Sequence, residues 1–354
     1  MTMTWRGMSL VVAAGLAVGA VLWFQDATRR PSQATGPISA ETHVSFLAVG
    51  DVNLGRRVGQ ILLSGDTLYP WQAVRDSFAH YDIVFANLES NLSDQKGKTV
   101  DPKSNVVFTG PPSGARSLAA AGVTIVSTAN NHALDFGIGA LQKTLLLLDS
   151  AGVYHVGTSG AATELFRPVT VNVKGMVFAF LACTDVMNGE GNSWRRYVAP
   201  ADTSRLFPAI RAARKSADFV VVSYHGGEEY AARPSPRVVE FGREVIRAGA
   251  DVFLGHHPHV PYGIEKVGKG YVVHSLGNFV FRQPGDFWTE RSYAVALDIA
   301  RDSSGVRISS LRCLPVACGF QPRFLGSGPE ADSVLQRVKA LSSQEKDLIE
   351  NRTW

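Results

Sequence analysis

Cysteine is scarce in this 354-residue chain, which holds only Cys183, Cys313 and Cys318. Three are too few for a disulfide-held scaffold or a zinc site built from thiolates. Cys313 and Cys318 would pair only in an oxidising compartment, and their spacing leaves that open. Cys183 follows the apolar run 177–182 and reads as a buried thiol. A strong excess of charge is also missing. The formal net charge is +4, and no basic cluster is interleaved with aromatics, so nucleic acid is a poor partner. The absence of a short-period repeat excludes a solenoid. What remains is an ordinary globular balance, 45% hydrophobic with 34 glycines, enough for one large or two modest domains.

One long uncharged run is present, Gly7 to Gln25, with Arg6 ahead of it and Asp26, Arg29 and Arg30 behind. Its length approaches that of a bilayer-crossing helix. Residues 1–30 therefore read as a signal peptide or an uncleaved signal anchor. Ala17 and Ala20 offer weak cleavage options, whereas Trp23 and Phe24 suit an interfacial end, which favours the anchor. The flanking arginines do not decide orientation. The expectation is a single-pass protein of the cell membrane with its catalytic domain extracytoplasmic. Residues 31–43 read as a flexible linker, 44–325 as the folded domain and 326–354 as a helical tail.

The segment Asp251-Val252-Phe253-Leu254-Gly255-His256-His257-Pro258-His259 organises the rest. Val252 to Leu254 reads as a buried strand, with Gly255 expected to turn the chain sharply. His257 and His259, two apart on a short extended turn, could converge on one or two metal ions. Five more apolar runs end in polar groups. Val44 to Val49 leads to Asp51, and Ile83 to Ala86 to Asn87 and Glu89, which share one side of the strand. Val123 to Ser127 leads to Asn131, His132 and Asp135. Phe219 to Ser223 leads to His225, Glu228 and Glu229, and Tyr271 to His274 leads to Ser275 and Asn278. Helical spacing fills 70–80, 111–121, 138–149, 203–216, 234–248 and 331–341. The runs 168–173 and 176–182 read as a hairpin turning at Lys174-Gly175, and 292–299 with 306–314 as closing antiparallel strands.

Each polar group has a plainer reading. Asp51 could cap a helix or make an Asx turn; His225 could be a satisfied core histidine. Glu228 and Glu229 could be solvated loop charges, Ser275 and Asn278 turn caps. Arg56 suits a surface ion pair as well as an anionic substrate. Six such strand ends together point to an α/β architecture with its ligands gathered at one edge.

Gly50-Asp51 with Leu54-Gly55-Arg56, Asn87-Leu88-Glu89, Ala129-Asn130-Asn131-His132 with Asp135 and Gly137, His225-Gly226-Gly227-Glu228, Gly255 to His259, and Ser275 to Phe279 jointly resemble one family. It is the CapA family of poly-γ-glutamate capsule biosynthesis proteins, a branch of the calcineurin-like metallophosphoesterases. The resemblance runs over roughly residues 44–282. It implies a four-layer α/β/β/α sandwich with two mixed sheets, and divalent metal ions, two of them, as Mn, Fe or Zn. Carried over by position, Asp51 and His259 would hold the first ion, with Asn53 beside them. Glu89 would stand at the bridge, and Asn131, His225 and His257 would hold the second ion. His132 would stabilise the departing group, with Asp135 behind it, and Arg56, Glu228, Ser275 and Asn278 would face substrate. Where phosphoesterases place Asp-x-His, this chain has Asp51-Val52-Asn53, and the bridging position holds the longer Glu89. Those departures weaken the case for ordinary phosphatase chemistry. The resemblance implies a hydrolase or transferase acting on an anionic envelope polymer such as poly-γ-glutamate, beside membrane synthase or export subunits. A general phosphoesterase and a non-catalytic polymer-binding subunit are the alternatives.

Overall fold

The computed structural model describes residues 41–189 and 191–342. The expected anchor over 1–30, nearly all of the linker, and the end of the tail from 343 lie outside the described residues. Among the described residues no helix is long and apolar enough to cross a membrane.

The first half of the chain forms β1 (Thr42–Val52), α1 (Arg56–Leu63), α2 (Arg75–Phe78), β2 (Ile83–Leu88), β3 (Asn91–Leu92), β4 (Val100–Asp101), β5 (Ser104–Gly110), α3 (Ser113–Ala121), β6 (Ile125–Ser127), α4 (Gly137–Ala151) and β7 (Tyr154–Val156). The second half forms β8 (Val169–Val173), β9 (Met176–Thr184), α5 (Thr203–Arg214), β10 (Phe219–His225), α6 (Pro236–Arg247), β11 (Val252–His256), β12 (Ile264–Val267) and β13 (Gly270–Val273). It closes with β14 (Asn278–Val280), β15 (Arg291–Asp302), β16 (Gly305–Ala317), β17 (Arg323–Phe324) and α7 (Pro329–Leu341).

Two large mixed sheets result, beside a small one of order β3-β5-β4. The first runs β17-β16-β15-β1-β2-β6-β7, with β14 also pairing β1, and the second runs β12-β13-β11-β10-β9-β8. Side-chain alternation along each strand assigns the layers. Val44, Phe46 and Ala48 of β1 enter a central cluster with Phe85, Phe180, Val221 and Leu254. Their neighbours Leu47 and Val49 enter an outer cluster with Val58 and Leu62 of α1, Leu118 of α3 and Leu148 of α4. On the far side, Val220, Val222 and Phe253 pack against Leu206 and Ile210 of α5 and Val245 of α6. The order is therefore helices, sheet, sheet, helices: the four-layer sandwich. Phe180 stacks on Phe46 and Phe85 across the central layer, with centroids 6.3 and 6.2 Å apart. Helix α7 buries Val334 and Val338 in the same central layer, so it belongs to the folded body.

Local chemistry explains the boundaries. Asp202 caps α5 by accepting from Ser204 N–H; Ser235 caps α6 ahead of Pro236. Gly152 at φ 74° ends α4. The hairpin β8–β9 turns at Lys174 and Gly175, both left-handed at φ 51° and 81°. The expected helix over 70–80 is broken into a 3-10 turn (Tyr69–Trp71) and the single turn of α2. Tertiary anchoring overrides its spacing: the Trp71 indole donates to Ser117 Oγ at 2.8 Å, and Phe78 stacks on Phe279.

Candidate metal centre

Parallel neighbours β1 and β2 align Asp51 with Asn87, and parallel β10 and β11 align His225 with His256. The carboxyl ends of both sheets thus meet at one edge. Gly50 is required there because any Cβ would collide with the Gly277 carbonyl, which accepts from Asp51 N–H at 2.9 Å. Gly255 does not turn the chain as its sequence context suggests. It lies within β11, where a Cβ would strike the His274 carbonyl, so close backbone approach selects glycine. The turn comes later and is not extended: His257 and His259 have φ 96° and 60°, strained for residues with a Cβ. That strain sits among interlocked side chains, and it brings the two rings to 6.0 Å between centroids.

Donor atoms of Asp51, Glu89 and His259 form one group, and those of Glu89, His225 and His257 a second, each within 4.8 Å. Glu89 is common to both. His259 Nε2 lies 3.7 Å and His225 Nε2 3.9 Å from Glu89 Oε1. That oxygen and His257 Nδ1 are buried without a hydrogen-bond partner. Asn131 joins the second group, its Oδ1 2.8 Å from His225 Nε2. Amides orient these ligands from behind. Asn278 Oδ1 lies 2.9 Å from His259 Nδ1, turning Nε2 toward Glu89. Asn87 Nδ2 lies 2.9 Å from Asp51 Oδ1 and 3.1 Å from His225 Nδ1.

Electrostatics match a cation site. Burial and then the charge of Asp51 push Glu89 well above the ordinary carboxylate range. Burial would do the same to Asp51, but the imidazoles of His256 and His259, 3.2 and 3.4 Å from its oxygens, outweigh it and hold Asp51 well below that range. Burial, reinforced by neighbouring imidazoles, drives His225 down and His257 to about 4. Neutral imidazoles and buried carboxylates with unpartnered atoms fit divalent ions with mixed N/O preference.

His132 flanks the centre. Its Nε2 lies 3.8 Å from Glu89 Oε1, and Asp135 Oδ2 lies 2.8 Å from its Nδ1. Its ring stacks on Phe108 at 4.2 Å. Asp135 Oδ2 also accepts from Phe108 N–H at 3.0 Å, which locks the pair. Arg56 is half-buried beside them, its guanidinium 4.5 Å over the Phe108 ring and its Nε donating to Asn105 O at 2.9 Å.

Four expected site residues are placed otherwise. Asn53 turns its Oδ1 onto Gly55 N–H at 2.7 Å, an Asx turn that occupies the oxygen a metal would need. Ser275 is fully buried, donating to Val260 O and accepting from Gly277 N–H, so it shapes a turn and does not face substrate. Asn278 is also buried, spending Oδ1 on His259 and Nδ2 on Gln283 and Thr289. Glu228 lines a different cavity, with Arg233, Tyr262 and His274. Its neighbour Glu229 is the one whose carboxylate lies with His257 and His259. Asn188 was not foreseen either: its Oδ1 accepts from Asn131 Nδ2 at 3.1 Å, and its Nδ2 lies 3.2 Å from His132 Nδ1. Its signal was faint: β9 ends in the polar pair Thr184-Asp185, and Asn188 follows after the apolar Val186 and Met187. Cys313 and Cys318 are free thiols.

A family model described as "Bacterial capsule synthesis protein PGA_cap" matches residues 45–283. "PGA biosynthesis protein CapA" of Bacillus subtilis is 33% identical over 261 residues, 73% of this chain and 68% of that protein. "Capsule biosynthesis protein CapA" of Bacillus anthracis is 27% identical over 333 residues, 91% of this chain and 78% of that protein. Among solved structures, the calcineurin-like phosphoesterase YfkN from Bacillus subtilis is 11% identical, covering 85% of this chain and 97% of that one at a TM-score of 0.46. That similarity is too low to bear on activity. The sequence matches suffice, and the chain belongs to the bacterial capsule synthesis protein family PGA_cap.

Proposed function

We propose that this protein is a metal-dependent hydrolase or transferase with a two-ion centre, acting in capsule synthesis on an anionic polymer of the poly-γ-glutamate kind. The carrying observation is Glu89, shared by two ligand groups with a buried, unpartnered Oε1. Asp51 and His259 would hold one ion and Asn131, His225 and His257 the other. Bound there, divalent ions would polarise the scissile carbonyl and supply a nucleophile at neutral pH. The chain's own groups do the rest. Arg56, fixed by Phe108 and Asn105, binds a substrate carboxylate at the mouth. His132 hands a proton from Nε2 to the departing group, while Asp135 fixes Nδ1. The names of the Bacillus relatives support the polymer class. The same reading keeps residues 1–30 as a membrane anchor, with the domain extracytoplasmic beside synthase or export subunits.

The test is release of new amino termini from poly-γ-glutamate by the full chain with Mn²⁺. The expected result is metal-dependent release, reduced at least about 100-fold in His132→Ala. Rapid turnover of simple phosphomonoesters with the polymer untouched would refute the substrate class. Protease accessibility of the domain in intact cells tests the location.

A further inference from the structure

The loop between β10 and α6 carries a carboxylate that the proposed reaction does not use. Glu229 offers an oxygen within 4.8 Å of the ring nitrogens of His257 and His259. The ligands of the two groups above are buried, whereas Glu229 is exposed and approaches the centre from its solvent side.

Its direction is fixed by its neighbour. Tyr230 sits at φ 60°, left-handed for a residue with a Cβ, and its N–H donates to Pro258 O at 2.9 Å. The Tyr230 ring stacks over His259 with centroids 5.9 Å apart, and its hydroxyl accepts from Gln283 Nε2 at 3.0 Å. Tyr230 is thereby clipped to the turn that carries both histidines. A strained backbone held by three contacts is the kind of feature that persists only when its surroundings impose it.

A donor is also missing from the group that contains His259. Asn53 commits its oxygen to Gly55 N–H, so Asp51, Glu89 and His259 stand without the fourth donor that Asn131 gives the other group. We propose that Glu229 is a metal ligand on the solvent side of the centre, supplying to the ion held by His259 the oxygen donor that Asn53 withholds. The assignment rests on the two-ion reading above and adds a ligand to it. A carboxylate in that place adds negative charge and favours a hard divalent cation such as Mn²⁺.

The test is calorimetric titration of Mn²⁺ into the chelator-stripped full chain, comparing wild type with Glu229→Gln, Glu228→Gln and His257→Ala. The assignment expects two equivalents in wild type, and a Kd for one of them raised at least about tenfold in Glu229→Gln. Glu228→Gln should match wild type, and the metal-free melting temperature of Glu229→Gln should be unchanged. Wild-type titration by Glu229→Gln, or an equal loss in Glu228→Gln, would overturn the ligand assignment alone. No Mn²⁺ uptake by wild type would overturn the two-ion reading beneath it, and the proposal with it.

Discussion

Replacing Asn278 with alanine separates what holds the fold from what orients a ligand. The side chain is fully buried and makes three contacts of 2.9 Å, to His259 Nδ1, Gln283 Oε1 and Thr289 O. At about 1 kcal/mol net per hydrogen bond, with buried partners left unsatisfied, Asn278→Ala should cost about 3 kcal/mol of stability. Freed from Oδ1, His259 loses the partner that keeps a proton on Nδ1 and presents Nε2 to Glu89. Removing such an orienting partner weakens metal affinity by about 10- to 100-fold. Asn278→Asp provides the internal control. Its carboxylate still accepts from His259 but cannot donate to Gln283 or Thr289, so stability should fall while metal affinity holds. Urea denaturation of metal-free protein reads the first quantity and Mn²⁺ titration the second. Asn278→Ala binding metal as tightly as wild type would refute the orienting role.

Gly255→Ala should lose about 3 kcal/mol in urea denaturation, because its Cβ meets the backbone carbonyl of His274, which cannot step aside. In metal-free protein His257 should contribute a loss of stability as pH falls from 6.5 to 4, opposed by Glu89, whose carboxyl is held above its ordinary range. Folded His257 resists protonation down to about 4 while the unfolded chain takes the proton from about 6.5, a difference of about 3 kcal/mol. His257→Ala should flatten that slope relative to wild type, and parallel slopes would contradict the sign. Arg56→Ala should raise KM for the polymer about tenfold with little change in kcat, since its contact is made with the substrate's charge in ground and transition states alike.

Most of this architecture is readable in the sequence because buried strands are short apolar runs whose ends change character abruptly. The runs before Asp51, Glu89, Asn131, His225 and His257 are of that kind, and the structure brings those five residues together. Some strands of two to four residues left no such trace, although β6 and β13, equally short, lie in the apolar runs 123–127 and 271–274. β7, β12, β14 and β17 are too short to show a period, and β14 exists because Asn278 aligns with Asp51 of β1. Periodicity also misjudged residues 70–80, where the fixed positions of Trp71 and Phe78 interrupt a helical pattern. Side-chain direction was the least legible property. Glu228 and Glu229 are equivalent in composition, and the clip on Tyr230 decides which one reaches the centre. Asn53, Ser275 and Asn278 occupy motif positions, yet their hydrogen-bonding atoms are committed to the protein.

The two-ion centre stands or falls on metal content. Elemental analysis of the protein, purified without chelators, should give two divalent ions per chain, and His257→Ala should lose at least one while keeping its fold. A well-folded wild-type protein that takes up no metal, even when Mn²⁺ or Zn²⁺ is supplied, would contradict the account.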